Sequence, residues 1–214
     1  MPRNLPNLIT LSRLVLAAAL FILLAGIAWA QGASAAETGW IRDLASRERL
    51  LLNGCLAIFA LAALSDVLDG FVARRWGLQT DFGRIMDPFA DKLVVCGVFV
   101  ELIPLEGSQV SAWMVVLILA RELFVDGLRG YVESRGCAFP ATFSGKLKMF
   151  SQCLAISWIL FALANLPLVS WALVVSRVLL WVTVTVTLLS GLDYLVRGKK
   201  VLAAEQARPL EAGA

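Results

Sequence analysis

Long apolar runs recur along this sequence and limit the folds open to it. Residues 14–30, 50–65 and 178–192, for example, contain no Asp, Glu, Lys or Arg. Wound into an α-helix, a run of this length crosses the hydrocarbon core of a bilayer. The charged fraction is 16% and the mean hydropathy is +0.80, whereas a soluble domain carries about 25% charged residues. We therefore expect an all-α integral membrane protein with several spans.

The apolar runs and the polar connections between them predict six transmembrane helices in one domain. An alternative interpretation of the first run is a secretory signal peptide, since AWA at Ala28–Ala30 resembles a cleavage site. Further apolar runs follow, which favours a retained first helix. We place the domain at residues 1–200 and a flexible tail at residues 201–214. The predicted helices are 7–30, 49–76, 83–104, 110–134, 144–166 and 169–196.

Basic residues predict which ends of the helices face the cytoplasm. The N-terminal end, the second and fourth connections and the C-terminal end carry 15 of the 19 Lys and Arg residues. Cytoplasmic loops of membrane proteins carry such an excess of Lys and Arg. We therefore expect both termini, and the acidic segment described below, on the cytoplasmic side of the inner (plasma) membrane.

The residue inventory excludes several kinds of site. The chain has no histidine, so an imidazole base, a histidine–metal site and a Ser–His triad are excluded. Its four cysteines lie far apart and form no CxxC pair, which disfavours zinc or iron–sulfur ligation. The net charge of +3 is modest, and no nucleic-acid partner is expected.

Five aspartates lie between residues 66 and 91, in a chain that is otherwise largely apolar. At 100° per residue, Asp66 and Asp69 share one sector of the second predicted helix. Asp87 and Asp91 lie four residues apart on one face of the third. The short WGLQTD turn makes these helices antiparallel neighbours, so we expect four carboxylates to point into one volume. The same faces carry small or basic residues, at Gly70, Ala73, Arg74 and Gly83.

Four carboxylates in one volume repel each other, and either protonation or bound cations relieve that repulsion. Oxygen ligands without His or Cys suit hard cations such as Mg²⁺, Mn²⁺ or Ca²⁺. Four carboxylates are enough for two ions about 3.5–4 Å apart, an arrangement suited to in-line phosphoryl displacement. Gly70 and Ala73 would let a ligand approach the backbone, and Arg74 would bind phosphate oxygens. The alternatives are that the small residues only pack helices and that the acids are solvated surface charge.

The spacing of these residues resembles the signature of the CDP-alcohol phosphotransferase family, D-x2-D-G-x2-A-R-x8-G-x3-D-x3-D. Members of that family are membrane proteins with six helices, which transfer a phosphatidyl group from CDP-diacylglycerol to an alcohol and release CMP. The resemblance implies a homodimer and two divalent ions, Mg²⁺ or Mn²⁺, with Asp91 as the base on the acceptor hydroxyl. The implied metal ligands are Asp66, Asp69, Asp87 and Asp91. The implied contacts of CDP-diacylglycerol are Asp66, Gly70, Ala73, Arg74, Thr80, Gly83 and Asn7.

Basic residues outside the acidic segment point to the kind of acceptor. Arg121 and Arg129 lie about 80° apart on the fourth predicted helix, and Lys146 and Lys148 begin the fifth. Cations beside a metal site suggest an anionic acceptor, although the positive-inside rule alone also places cations there. The stretches ARELFVDGLR and SGKLK resemble the branch of the family whose acceptor is sn-glycerol 3-phosphate. The predicted contacts of the acceptor phosphate are Arg121, Lys146, Lys148, Arg129, Arg13 and Thr10.

Other interpretations stay open on the sequence. A branch of the same family that makes cardiolipin would use phosphatidylglycerol as the acceptor. A divalent-cation transporter would also cluster aspartates, but the chain has no repeat and no acidic residue in the fifth predicted helix. For Arg121, pairing with Glu122 or Asp126 would explain a cation at that position without any acceptor.

Overall fold

The structure of the protein, a computed structural model, describes residues 5–32, 47–76, 81–137, 139–140 and 142–206. Within these ranges, side chains are described except at residues 5–10, 66–85, 87–88 and 204–206. The described residues form six α-helices and no strand, which agrees with the all-α prediction. The helices are α1 (Leu5–Gly32), α2 (Glu48–Trp76), α3 (Asp81–Leu102), α4 (Ala112–Ser134), α5 (Phe143–Asn165) and α6 (Ser170–Gln206).

Five helices match the predicted ones to within a few residues, and the last is longer than predicted. The prediction ended it at residue 196, where basic residues begin, but α6 continues to Gln206. Residues 199–206 are dominated by Lys, Leu, Ala, Glu and Gln, which are strong helix formers, so the helix outlasts the apolar run. The predicted tail at residues 201–214 therefore begins inside a helix, and residues 207–214 lie outside the described residues.

Four of the helices contain a run that is long and apolar enough to cross a membrane. The runs are Leu11–Gly32, Glu48–Ser65, Phe143–Asn165 and Ser170–Ala203. Helices α3 and α4 differ because charged residues interrupt them, including Lys92 in α3 and Glu122 in α4. By length and composition the described chain is thus an all-helical membrane protein with four candidate spans.

The helices pack around one main apolar core. Helix α1 packs against α2 and α3, α5 against α2 and α6, and α4 against α6. Buried Leu24, Phe59, Phe99 and Ile156 belong to this core and come from four different helices. Many apolar side chains on the same helices face outward instead, such as Ile22, which is 73% exposed. An apolar outer face suits helices that are surrounded by lipid.

A glycine brings α1 and α3 into close contact. The Phe21 ring of α1 lies so near Gly97 of α3 that a Cβ atom at this position would overlap the ring. The missing side chain therefore lets the two helices approach closely. About two turns away on the same helices, this approach brings Arg13 next to Asp91.

Polar side chains hold α5 against α6 inside the apolar bundle. Trp158 Nε1–H donates to Ser176 Oγ at 3.1 Å, and Gln152 Nε2–H donates to Thr187 Oγ1 at 3.4 Å. Such bonds between membrane helices contribute about 0.6–2 kcal/mol each. They fix which residues of α6 face the middle of α5.

Candidate active site

A cavity of about 370 Å³ lies between α3, α4, α5 and α6. Its described lining carries five cations and three carboxylates, an excess of two positive charges. Such an excess favours an anionic ligand over a neutral one. Four of the five cations predicted to contact the acceptor phosphate line this cavity, and Arg13 does not. The charged and aromatic lining residues are Asp91, Lys92, Arg121, Glu122, Asp126, Arg129, Lys146, Lys148 and Tyr194.

Asp91, the predicted base, is held by an arginine from α1. Arg13 Nη1 donates to Asp91 Oδ1 at 2.7 Å, and the Arg13 side chain is only 2% exposed. A short charge-assisted bond to a buried guanidinium restricts the orientation of the carboxylate. The sequence placed Arg13 among the acceptor phosphate contacts, whereas the structure places it against the predicted base.

Glu122 joins two cations of the cavity wall, and the sequence interpretation gave it no place in the site. Its Oε1 accepts from Lys148 Nζ at 2.7 Å and from Arg121 Nη1 at 3.2 Å. Glu122 is 4% exposed, so its charge is neutralised by these partners rather than by water. Arg121 also donates from Nη2 to Ser190 Oγ at 2.7 Å, which ties α4 to α6.

Lys92 forms an ion pair with Asp126, between α3 and α4. The pairing decides between the two partners that the sequence offered for Arg121, because Glu122 contacts Arg121 and Asp126 contacts Lys92. Lys92 follows directly after Asp91, a position that could have drawn attention to it. Glu122 and Asp126 pair with three of the five described cations, so the described lining still carries more cations than carboxylates.

Tyr194 of α6 is the aromatic residue at the centre of the cationic wall. The Arg121 guanidinium lies 5.4 Å from the ring centroid, and that of Arg129 lies 5.9 Å from it. The hydroxyl accepts from Arg129 Nη2 at 3.3 Å and from the backbone N–H of Thr142 at 3.1 Å. A single tyrosine in an apolar helix forms no recognisable motif, so the sequence contained no indication that Tyr194 belongs to the site.

The start of α5 brings two lysines to the cavity. Thr142 is the N-cap, and its Oγ1 accepts from the backbone N–H of Gly145 at 3.1 Å. Ser144 Oγ–H donates to Asp193 Oδ2 of α6 at 2.7 Å. Lys148 pairs with a carboxylate, whereas Lys146 is exposed and pairs with no carboxylate of the described residues.

The other predicted site residues except Thr80 lie on helices, but their side chains are outside the described part of the chain. Helices α2 and α3 are consecutive in the chain and contact each other. Among the described side chains, no group of three or more Cys, Asp or Glu could hold a metal ion. The convergence of the four aspartates therefore stays a prediction, and Thr80 lies outside the described residues. On α2 are Asp66, Asp69, Gly70, Ala73 and Arg74, on α3 are Gly83 and Asp87, and on α1 are Asn7 and Thr10.

Known proteins resemble this chain over most of its length. A model of the CDP-alcohol phosphatidyltransferase family matches residues 3–189. A CDP-diacylglycerol–glycerol-3-phosphate 3-phosphatidyltransferase of Bacillus subtilis is 34% identical over 200 residues, which cover 93% of this chain and 97% of the relative. A probable phosphatidylglycerophosphate synthase of Mycobacterium tuberculosis is 36% identical over 194 residues, 91% of this chain and 81% of the relative. A CDP-diacylglycerol–glycerol-3-phosphate 3-phosphatidyltransferase of Rickettsia typhi is 30% identical over 192 residues, 90% of this chain and 95% of the relative.

Proposed function

Because the chain belongs to the CDP-alcohol phosphatidyltransferase family, we propose that it transfers the phosphatidyl group of CDP-diacylglycerol to sn-glycerol 3-phosphate. The products are phosphatidylglycerophosphate and CMP. The observation that carries the proposal is the agreement between relatives named for this acceptor and a cavity whose described lining has excess positive charge. The chain is accordingly a transferase of phospholipid biosynthesis.

The cavity supports an acceptor that carries a phosphate group. A phosphate monoester has about −1.5 to −2 charges near pH 7, which is similar in size to the cationic excess of the lining. Arg129 and Lys146 supply charge that no described carboxylate neutralises. We assign the acceptor phosphate to Arg121, Arg129, Lys146 and Lys148. A neutral acceptor such as serine would leave this excess uncompensated.

Divalent metal ions are general in this family, and we assign two of them, Mg²⁺ or Mn²⁺, to the four aspartates. The donor chemistry fits, because a set of carboxylates without His or Cys selects hard cations. Asp91, the described member of the set, lines the cavity and is held by Arg13. When bound, the ions would offset the charge that develops on the pyrophosphate in the transition state. The assigned ligands are Asp66, Asp69, Asp87 and Asp91.

The proposed reaction is a direct displacement in which Asp91 takes the proton of the acceptor hydroxyl. The acceptor oxygen forms a bond to the phosphorus that bears diacylglycerol, and the bond from that phosphorus to the CMP oxygen breaks. Arg13 keeps the Asp91 carboxylate oriented toward the hydroxyl, and the cationic wall holds the acceptor at its phosphate end. We assign the cytidine diphosphate end to Gly70, Ala73, Arg74, Gly83, Thr80 and Asn7.

The proposed reaction also implies an orientation of the protein in the membrane. We assign the cavity and both termini to the cytoplasmic side of the inner membrane, with α3 and α4 completing six spans. The basic residues of the cavity support this orientation, because Lys and Arg concentrate on the cytoplasmic side. We further assign the chain to a homodimer, with residues 1–200 as its membrane domain.

An acceptor screen tests the proposal. Purified protein with labelled CDP-diacylglycerol and Mg²⁺ should release CMP when sn-glycerol 3-phosphate is added. Inositol phosphate, serine and phosphatidylglycerol serve as competing acceptors. Equal CMP release with any of these would contradict the assigned acceptor, and phosphatidylglycerol would then indicate cardiolipin synthesis. Exchange of labelled CMP into CDP-diacylglycerol without an acceptor would contradict the direct displacement.

A further inference from the structure

One side chain of α6 contacts every element that brings a predicted acceptor cation to the cavity. Tyr194 touches Arg121 and Arg129 of α4 through its ring, and its hydroxyl accepts from the N-cap residue of α5, Thr142. The side chain is 2% exposed, so these contacts are made in a protected environment. Nothing in the reaction proposed above uses this tyrosine.

Tyr194 holds cations without neutralising them. Glu122 pairs with Arg121 and Lys148 and so cancels positive charge, whereas a tyrosine ring is neutral. Stacking on a ring leaves the full charge of a guanidinium and most of its N–H donors in place. In the described part of the chain, Nε of Arg121 and Nε of Arg129 are buried and have no hydrogen-bond partner. Each of these arginines therefore has a donor that no described atom accepts from, and contact with the ring leaves its charge in place.

The same region of α6 also fixes where the two lysines lie. Asp193, which precedes Tyr194, accepts from Ser144 in the first turn of α5. Consecutive residues of α6 thus hold the start of α5, whose first two turns carry Lys146 and Lys148. The distance between the lysines and the arginines of α4 depends on these contacts.

We propose that Tyr194 is a positioning residue for the acceptor: it sets the arrangement of the cations that bind the phosphate of sn-glycerol 3-phosphate. The inference rests on the proposed function and deepens it. In this proposal Tyr194 acts through Arg121, Arg129 and the start of α5, and takes no part in the transfer itself. Its loss should therefore weaken acceptor binding and spare the chemical step.

The Tyr194→Phe variant tests this, because it removes the hydroxyl and keeps the ring. Loss of a hydrogen bond from a charged donor should raise KM for sn-glycerol 3-phosphate about tenfold. Both kcat and KM for CDP-diacylglycerol should stay within about twofold of the unmodified protein. A fall in kcat with KM for the acceptor unchanged would overturn the inference.

The other tyrosine of the chain offers a matched control. The Tyr131 hydroxyl accepts from Arg135 Nη2 at 2.9 Å, and that guanidinium lies 5.3 Å from the Tyr131 ring centroid. The chemistry is the same as at Tyr194, but Tyr131 is 48% exposed and does not line the cavity. Tyr131→Phe should leave all three kinetic constants unchanged. An equal effect of both variants on KM would overturn the inference.

A double-mutant cycle tests whether Tyr194 acts through Arg129. In an Arg129→Gln background, Tyr194→Phe should raise KM for the acceptor clearly less than it does alone, because partners in one network are not additive. Full multiplication of the two effects would contradict a positioning role. The cycle also separates this role from a general loss of stability, which would lower the amount of active protein rather than change KM.

A measurement on the unmutated chain covers the case in which Tyr194→Phe does not fold. The sequence has two tyrosines, so protein labelled with 3-fluorotyrosine should give two ¹⁹F signals, which Tyr131→Phe assigns. In the presence of Mg²⁺ and CMP, titration with sn-glycerol 3-phosphate should shift the Tyr194 signal in a saturable way and leave the Tyr131 signal in place. If calorimetry shows that the acceptor binds but the Tyr194 signal does not shift, the inference about Tyr194 is overturned and the proposed function is not. Absence of both binding and turnover with this acceptor would overturn the proposed function, and the inference with it.

Discussion

Replacing Arg13 with glutamine separates two roles for this residue. The sequence places Arg13 among the contacts of the acceptor phosphate, whereas in the structure its Nη1 donates to Asp91 Oδ1. Loss of a phosphate contact would raise KM for sn-glycerol 3-phosphate, and loss of a residue that orients the base would lower kcat. We expect the Arg13→Gln variant to lose kcat, with KM for the acceptor changed little.

The burial of the pair determines the size of the effect. The Arg13 side chain is 2% exposed and that of Asp91 is 26% exposed. Removing one partner of a fully buried pair lowers the free energy of unfolding by about 3–5 kcal/mol, whereas an exposed pair contributes only about 0–1 kcal/mol. Because one partner is partly exposed, we take about 2 kcal/mol for the loss of orientation in the transition state. At about 1.4 kcal/mol per factor of ten, kcat should fall roughly thirtyfold.

The assay is CMP release by the purified protein in lipid nanodiscs, at saturating CDP-diacylglycerol and varied sn-glycerol 3-phosphate. Arg177→Gln is the matched control, since exposed Arg177 donates to Gln109 Oε1 at 2.6 Å and does not line the cavity. This control should keep kcat and KM unchanged. If Arg13→Gln instead raises KM for the acceptor about tenfold and preserves kcat, the reasoning is refuted. That result would support the sequence prediction that Arg13 contacts the acceptor phosphate.

Three further substitutions test the site and the packing that supports it. Glu122→Gln leaves buried Arg121 and partly buried Lys148 without their carboxylate, so the thermal midpoint in detergent should fall by about 5–10 °C; an unchanged midpoint would contradict the pairing. Gly97→Val should cost about 1–3 kcal/mol by overlap with Phe21, and adding Phe21→Ala should recover part of it; independent effects would contradict the close approach of α1 and α3. Asp69→Asn should lower CMP release at least about hundredfold without changing the midpoint, and retained turnover would exclude Asp69 from the metal site.

Much of the fold follows from local properties of the sequence. Hydropathy and charge placement predicted six helices, and the described residues form six, with most ends within a few residues of the predicted ones. Hydropathy and charge placement depend only on residues that are close in the sequence, so they predict helices without knowledge of how the helices pack. Predictions that depend on a boundary with the solvent were weaker. We predicted that α6 ends where the apolar run stops, but the helix continues to Gln206. The hydrogen bonds of a helix lie within its own backbone, so a helix can extend beyond its apolar residues.

The family signature is also a local property of the sequence, because its spacing can be read directly from residues 66–91. The comparisons place the chain in the family that this spacing resembled. The predicted roles of Asp66, Asp69 and Asp87 stay predictions, since their side chains lie outside the described residues. For Asp91, the structure adds a partner that the spacing does not encode.

The partners of each charge follow from helix packing rather than from local pattern. Arg13 and Asp91 are separated by 78 positions and Arg121 and Ser190 by 69, and each pair meets only because two helices pack at one particular rotation. Turning a helix by one residue rotates a side chain by about 100°, which would move Arg13 away from Asp91. Tyr194 is the clearest case, since it lies in an apolar helix and gains its place in the site from partners on α4 and at the start of α5. Hydropathy places a residue in a membrane helix, and the packing of that helix against the others determines which side chains it meets.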